Sequence, residues 1–508
     1  MKKIFFIAFL LVSLTSFAQL TSEQIDELAN KTLKTFNVPG IAVAVIKDGK
    51  VVHSKGYGVR SLKTNEPVDE NTLFGIASNS KAFTTTALGI LIDEGKLKWD
   101  DKVTKYLPNF KMYDPYVTKE FTIRDLVTHR SGLGLGSGDL MLWPDGTDFT
   151  PTELVNNLRY LKPTTSYRNN FEYNNVLYVT ASEVVAKISG KSWANFVQER
   201  IINPVGMLNS VSDVNTLKEN ANVIDPHVPT DGKLVIIPRY NKHIFDGAAG
   251  IYSSVHDMSK WALVQLNNSK LADGKNLLSE EQHKELTQLQ TIIPANTKAP
   301  YNTHFSGYGL GFFLSDIKGY KQVSHTGGLE GNVTQFTLIP EIGLGIIVFT
   351  NQQSGSAFST ITNTIKDSYL GVATKDYLKI YSERESETFK THEKTMAEAF
   401  AIAKEDFNFP FAGKYKDNWF GEIILYKKEG KYYFEAKRSK NLKGQILSYK
   451  DNTYIVKWDN RSLIADAFIT FENKGKKATM KAISDYTDFS YDFQDLEFHK
   501  IVTKGGKK

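Results

Sequence analysis

The 508-residue chain carries 62 Lys and Arg against 56 Asp and Glu, a formal charge of +6 that is too weak and too dispersed to argue for a nucleic-acid partner. With 41% hydrophobic and 12% aromatic residues it has ample material for packed cores, which excludes a disordered chain, and its length suits about two to four domains. There is no cysteine, so disulfides, thiolate zinc sites and lipidation of an N-terminal cysteine are excluded.

Lys2 and Lys3 precede the apolar run Ile4 to Leu14, and Ser16-Phe17-Ala18 leads to Gln19, the pattern of a secretory signal peptide cut after Ala18. The run is shorter than the ~20 residues of a bilayer-spanning helix, an uncleaved anchor being the alternative. The mature chain is expected to be exported, periplasmic or extracellular, with no membrane association after cleavage.

From about Leu20 to Leu370 strand-like and helix-like segments alternate, which is α/β or α+β material. Ile41 to Lys47 and Lys50 to Lys55 read as strands joined at Asp48-Gly49, a tight hairpin turn. Tyr308 to Leu314 and Tyr320 to His325 flank a polar turn at Ser315 to Gly319. Gln335 to Ile339 and Gly345 to Thr350 form a further hairpin. Together they predict an antiparallel sheet built from both ends of this region, with a more helical middle from Trp99 to Ser269.

Asp376 to Glu405 is densely charged with interspersed aromatics and reads as a helical connector, a frayed linker being the alternative. Beyond Phe407 come short strands, among them Glu422 to Tyr426, Tyr432 to Lys437, Thr453 to Trp458, Ala467 to Glu472 and Thr479 to Ser484. Their spacing predicts a small all-β sandwich or barrel. The expected organisation is a signal peptide at 1–18, an α/β region at 19–374, a connector at 375–406 and a β domain at 407–508.

The sharpest local feature is Ser78-Asn79-Ser80-Lys81, which opens a helical pattern in which Phe83, Ala87, Ile90 and Leu91 recur and Gly95 supplies a stop. Ser and Lys three residues apart share one face of a first helical turn, so the amine can accept the hydroxyl proton directly. The N–H groups of that helix start favour developing negative charge. A second copy, Ser315-Asp316-Ile317-Lys318, lies in a hairpin turn with no helix after it and reads as structural.

Tyr173-Asn174-Asn175 precedes a helical run from Val176 to Ser189 closed by Gly190. The Tyr173 hydroxyl is placed to relay a proton to a leaving group, and the Asn175 amide to hold Lys81 and the substrate. Tyr167-Arg168-Asn169 has the same spacing but no helix directly after it, and is set aside. The third piece is Ser324-His325-Thr326-Gly327-Gly328 at a strand end, where His325, Thr326 and Gly327 are expected to border substrate. The Gly328 N–H would complete an oxyanion hole with that of Ser78.

Ser-x-x-Lys, Tyr-x-Asn and His-Thr-Gly in this order resemble the class C β-lactamase, D-aminopeptidase and esterase branch of the penicillin-recognising serine hydrolases. The stretches Phe121 to Leu133 and Asp246 to Ser254 add to the likeness, which covers roughly residues 22 to 370. The segment from Phe411 to Phe498 resembles the lipocalin-like barrel appended to some members. The resemblance implies Ser78 as nucleophile, Lys81 as base and Tyr173 as proton relay, on an antiparallel sheet flanked by helices with a helical subdomain, and it implies no cofactor and no metal. Where lactamases and D,D-carboxypeptidases usually carry a lysine that holds the substrate carboxylate, this chain has His325, mostly neutral at pH 7 with an ordinary pKa near ~6.5.

The expected activity is therefore acyl transfer through Ser78 on a small peptide, D-amino-acid-containing peptides included, or on an ester. The alternatives are β-lactamase or D,D-carboxypeptidase activity, and a non-catalytic protein that binds peptidoglycan fragments. For this chemistry Lys81 and Tyr173 are both expected to titrate well below their ordinary values of about 10.4 and about 10. The barrel is read as a small-ligand cup, or as a lid or oligomer contact that restricts access to the site. Aromatics such as Trp419, Tyr432, Tyr433, Phe434 and Trp458 favour a filled core over a cup.

Overall fold

The structure, a computed structural model, describes residues 19–373 and 375–502. The expected signal peptide lies outside the described residues.

An eight-stranded antiparallel sheet organises the first part of the chain. Its strands are β1 (Gly40–Lys47), β2 (Lys50–Gly58), β3 (Thr291–Ile293), β4 (Ser306–Tyr308), β5 (Phe313–Ile317), β6 (Tyr320–Leu329), β7 (Asn332–Ile339) and β8 (Leu344–Thr350). The spatial order is β2-β1-β8-β7-β6-β5-β4-β3, so β1 pairs with β8 and the two ends of the region meet, as expected. Asp48 and Gly49 both have positive φ, +49° and +75°, the type I′ geometry whose twist matches the flanking strands.

Every residue of β1 but the last, and all of β8, are buried, because helices cover both faces. The main helices are α1 (Ser22–Thr35), α2 (Ser80–Asp93), α3 (Asn175–Ser189), α4 (Val255–Leu266), α5 (Gly355–Tyr369) and α6 (Tyr377–Ala401). Ile41, Val43 and Val45 point toward Ile25 and Ala29 of α1 and Ile361 and Ile365 of α5. Ala42, Ala44 and Ile46 point the other way, into the core that holds Phe83 of α2 and Met258 and Trp261 of α4.

One strand departs from expectation. The segment expected from Tyr308 to Leu314 breaks after Tyr308, because Gly311 (φ +87°) passes so close to α2 that a Cβ there would lie 2.9 Å from the Ala82 Cα. After the break β5 runs on to Ile317, so the turn is only Lys318-Gly319. The second Ser-x-x-Lys is accordingly structural: Ser315 lies on β5 and the Lys318 amine donates to the Leu370 carbonyl at 3.1 Å.

The connector is the continuous helix α6. Its start is tied to α5 by the Tyr377 hydroxyl, which donates to Asp367, and near its end Met396, Ala399 and Phe400 pack on Leu447, Ile455 and Ile483. Eight antiparallel strands, β9 (Gly413–Asp417), β10 (Gly421–Lys428), β11 (Lys431–Ala436), β12 (Lys443–Ser448), β13 (Thr453–Trp458), β14 (Ala467–Glu472), β15 (Lys477–Ala482) and β16 (Glu497–Lys500), then close into a barrel. Trp419, Tyr432, Phe434 and Trp458 are buried, while Tyr433 is only half-buried. Closure removes sheet edges, and the four buried aromatics belong to the core.

The barrel is fastened to the segment between Gly138 and Lys162. Arg438 reaches Asp148 at 2.6 Å and Glu153 at 2.8 Å, and the Asn441 and Asn157 side chains donate across the boundary to Asp145 O and Trp419 O. The joint is thus rich in directional polar contacts, which set the barrel's orientation over the helical region.

Candidate active site

Ser78 sits on a strained turn. The short strand Phe74–Gly75 pairs with Tyr252–Ser253, and the chain then reverses through Ala77, whose φ of +50° costs a non-glycine residue about 1–2 kcal/mol. The turn is pinned to β7: Asn79 Nδ2 donates to Thr334 Oγ1 at 2.9 Å, Thr334 Oγ1 donates to Ile76 O at 3.0 Å, and Asn332 Nδ2 donates to Gly75 O at 2.8 Å. Gly327 lies beneath it, where a Cβ would come within 2.2 Å of Ile76 O. Gly327 is thus buried against the back of the turn rather than bordering the cleft, and its lack of a side chain is what lets β6 support Ser78.

Lys81 opens α2, whose residues are buried from Ser80 to Leu91, and its side chain has no exposure to solvent. Its amine lies 3.0 Å from Ser78 Oγ, 2.8 Å from Asn175 Oδ1 and 3.2 Å from Ala248 O. The last two can only accept. A neutral amine has two N–H donors, so satisfying both carbonyls leaves its lone pair directed at the Ser78 hydroxyl. Burial draws the Lys81 pKa down to about 7, with the Asp139 charge opposing the shift.

The Asn175 orientation that makes this possible is itself fixed, because its Nδ2 donates to Asp139 Oδ2 at 2.7 Å. Burial raises the Asp139 pKa, which the Asn175 and Ser490 contacts only partly counter. Tyr173 lies against Ser78, with its ring 4.8 Å from the Lys81 amine. Burial pushes the Tyr173 phenol up, opposite to the downward shift expected from sequence, while its contact with Ser78 pulls the other way. A desolvated phenol with no cation in direct hydrogen-bond contact stays protonated, so Tyr173 is a hydroxyl donor here and not a phenolate.

His325 is buried and held at both ring nitrogens. Nδ1 lies 2.6 Å from the carbonyl of Thr326, which can only accept, so Nδ1 carries the proton and Nε2 faces the Tyr308 hydroxyl at 3.1 Å as acceptor. Burial, followed by the neighbouring Lys81 charge, lowers the His325 pKa to about 3. The ring is neutral for structural reasons, beyond the ordinary titration considered from sequence. Thr326 and Gly328 are exposed at the cleft, and little would meet a Cβ at Gly328, leaving room for a ligand. Behind Tyr173 stands the buried His129, 4.3 Å from it between ring centroids, whose Nδ1 accepts from the Asn174 N–H.

These residues line a cleft of about 490 Å3 that includes Ser78, Tyr173, Asn175, His325, Thr326 and Gly328. Phe171, Phe245, Phe313 and Trp143 make its apolar walls. Its remaining wall comes from the barrel, chiefly Tyr486 and the run Asp488 to Tyr491. Phe489 meets the Tyr173 ring edge-on at 5.9 Å, and the Tyr491 hydroxyl donates to Glu330 at 2.7 Å. The lining contains the acids Glu330 and Asp488 but no Lys or Arg.

Asp139, Tyr308 and the particular barrel residues at the cleft were missed from sequence, although a barrel restricting access was among the readings. Asp139 alone left a trace, as a single acid between Gly138 and the apolar run Leu140 to Trp143. The decoy Tyr167-Arg168-Asn169 serves the fold: Tyr167 and Arg168 both bond the buried carboxylate of Asp125, at 2.8 and 2.5 Å. Among the described residues no group of three or more His, Asp or Glu is arranged to hold a metal ion, and no helix is long and apolar enough to cross a membrane.

A serine on a tight turn and a buried lysine on the helix that follows it, packed against the middle of an antiparallel sheet, define the β-lactamase and transpeptidase class of fold. The family described as Beta-lactamase matches residues 25–369, and the chain belongs to that family of serine hydrolases. A domain of unknown function, DUF3471, matches residues 410–500, the barrel. An unguisins hydrolase, ungD', of Aspergillus campestris is 27% identical over 398 residues, 75% of this chain and 70% of that protein. Protein flp of Staphylococcus aureus is 28% identical over 340 residues, 66% of this chain and 64% of its own, so the chain spans just under two thirds of that relative. The octameric penicillin-binding protein homologue from Pyrococcus abyssi shares the fold with a TM-score of 0.62 at 22% identity, over 95% of this chain and all of its own. A class C β-lactamase shares it at 0.56 and 20% identity, over 70% of this chain and 96% of its own.

Proposed function

We propose that this protein is an exported serine hydrolase that cleaves small peptides, including D-amino-acid-containing ones, or esters through an acyl-enzyme on Ser78. The observation that carries the reading is the lone pair of Lys81, aimed at the Ser78 hydroxyl by two acceptor-only neighbours. Lys81 takes the hydroxyl proton as Ser78 Oγ bonds to the carbonyl carbon. The oxyanion is held by the N–H groups of Ser78 and Gly328. Tyr173, a protonated phenol against Ser78, hands its proton to the leaving amine or alcohol and is reprotonated through Lys81. Water then attacks the ester to Ser78 and releases the acid, with Lys81 again the base.

The substrate class follows from charge. A neutral His325 and a cleft lined by Glu330 and Asp488 without Lys or Arg give no cation to hold a carboxylate beside the scissile bond. Uncharged acyl groups fit this lining better than the carboxylate of a β-lactam, and burial, which raises the Glu330 pKa to about 7, weakens any pull on a cation. Export rests on the Lys2 to Ala18 segment.

The test is a panel of nitrocefin, p-nitrophenyl butyrate and D-alanyl p-nitroanilide, with labelling by a serine-directed phosphonate. We expect the ester or the anilide to be turned over in preference to nitrocefin, and Ser78→Ala to lose both turnover and label. Persistent labelling of Ser78→Ala would overturn the nucleophile assignment. Failure of every substrate and of the phosphonate would favour a binding protein instead.

A further inference from the structure

The barrel does more than wall the cleft, because one of its acids grips the turn that carries Asp139. Asp492 is fully buried, and its carboxylate accepts from the backbone N–H groups of Gly138 at 2.6 Å and Leu140 at 2.8 Å. Between those two residues Asp139 projects to Asn175, and Asn175 to Lys81. The other oxygen, Asp139 Oδ1, has no partner in good hydrogen-bond geometry among the described residues, although the Ser490 side chain of the barrel approaches the carboxylate. A buried acid that is left half-satisfied is costly unless its position does something for a neighbour.

We propose that Asp139 is a positioning residue that locks the Asn175 amide with its oxygen toward Lys81, and that the barrel, through Asp492, holds Asp139 in place. This rests on the catalytic reading of Ser78 and Lys81. An amide has a donor end and an acceptor end of nearly the same shape, and nothing else bonded to the Asn175 side chain distinguishes them. With Asp139 accepting from Nδ2, only Oδ1 can face the amine. If the amide turned over, two donors would meet, and the Lys81 lone pair would be drawn toward Asn175 and away from Ser78. The barrel thereby sets the aim of the base from outside the family domain.

The groups that face Asp139 and Lys81 are Tyr173, Tyr178, His129, His325, Asp488 and Asp492. Of these His129, His325 and Tyr173 are held neutral by burial, and Asp492 is pushed upward by burial and by the neighbouring acids Asp495 and Asp139. The Asp139 charge supports the protonated form of Lys81, and burial brings both groups to about 7, so the acidic limb belongs to the two together. Removing that charge alone therefore moves the acidic limb of the pH profile to lower pH.

The test uses three variants of the full chain, each checked for a cooperative thermal transition, with the best substrate of the panel. Asp139→Asn keeps an acceptor for Asn175 and loses the charge: we expect a kcat within about tenfold of wild type and an acidic limb displaced to lower pH. Asp139→Ala loses the acceptor too, and kcat is expected to fall about 100-fold with KM within about threefold, as for a misplaced catalytic group. Asp492→Asn can satisfy only one of the two N–H groups, and is expected to lose kcat about tenfold with KM again little changed. Equal loss in Asp139→Asn and Asp139→Ala with an unmoved limb would show a merely structural residue, and wild-type kcat in both would show none. Wild-type kcat in Asp492→Asn would sink the role of the barrel. Should a variant fail to fold, the rate of phosphonate labelling of the remaining soluble variants across pH gives the same comparison. Ser78→Ala is the control: if it still turned over substrate the catalytic reading itself would fail, whereas an inert Ser78→Ala beside wild-type Asp139 variants would remove this inference alone.

Discussion

Replacing Lys81 by methionine is the most direct test of how this site makes a base. Methionine preserves the length and apolar character of the stem in a helix that is buried from Ser80 to Leu91, so α2 should still form and pack. The amine, however, is among the described residues the only group within hydrogen-bond reach of Ser78 that can accept its proton near neutrality. A lysine at its ordinary 10.5 is almost wholly protonated at pH 7, whereas at about 7 it is half neutral, so burial raises the available base by roughly a thousandfold. Losing it should lower kcat/KM by about 10²–10⁴-fold. The wild type should also show an acidic limb with a midpoint near about 7, since the reactive form is the neutral amine and activity rises as pH climbs through that value. The assay is hydrolysis of the panel's best substrate from pH 5 to 9 for both proteins. Activity of Lys81→Met within tenfold of wild type would refute the assignment of Lys81 as base.

Three further predictions follow from the same geometry. His325→Lys should place a cation at the cleft, remove the acceptor of the Tyr308 hydroxyl, and raise nitrocefin turnover relative to p-nitrophenyl butyrate by about tenfold; an unchanged ratio would show that charge at 325 does not choose the substrate. Phe489→Ala should open the barrel side of the cleft over Tyr173 and raise kcat/KM for bulky esters about three- to tenfold relative to acetate esters, read from a series of p-nitrophenyl esters of increasing size, with an unaltered series counting against a barrel role in selectivity. Asp125→Asn should destabilise the fold by about 3 kcal/mol, measured from urea midpoints, because it breaks a buried carboxylate bound by Thr122, Tyr167, Arg130 and Arg168; the figure is kept at the low end because the Arg168 side chain is 39% exposed. Desolvation works against the Asp125 charge, but the bonds from Arg168, Thr122 and Tyr167 outweigh it and hold the pKa at about 2, below the ordinary 3.8. Its stabilisation is therefore complete above pH 3.8 and lost as pH falls through about 2, so the gap between variant and wild type should narrow over that range.

Much of the architecture was legible in local pattern. Asp48-Gly49 announced its hairpin because a type I′ turn needs positive φ at both positions, and the Ile41 to Lys47 and Gly345 to Thr350 runs announced strands because sheet-interior segments are continuously apolar. The second Ser-x-x-Lys and the decoy Tyr-x-Asn were separable from the site because neither opens a helix; the first gives Lys318 to the Leu370 carbonyl and the second gives Tyr167 and Arg168 to Asp125. The break at Gly311 was not legible, since it answers to a helix more than 200 residues away in sequence. The same holds for β9, β12 and β16, strands that are short and partly polar and gain their definition from barrel closure.

The sequence by itself determined which functional groups are present: a hydroxyl and an amine on one helical turn, a phenol and an amide before another helix, and an imidazole in place of a lysine at a glycine-rich strand end. Tertiary structure decided the protonation state of each and the company it keeps. It moved Lys81 down and Tyr173 up, fixed His325 neutral, carried Gly327 behind Ser78, and brought Asp139 and the barrel's Phe489, Ser490 and Asp492 to the site. The division has one physical cause. Bonding type and backbone preference belong to a residue and its neighbours in the chain, whereas desolvation and electrostatic coupling depend on what distant segments pack around it.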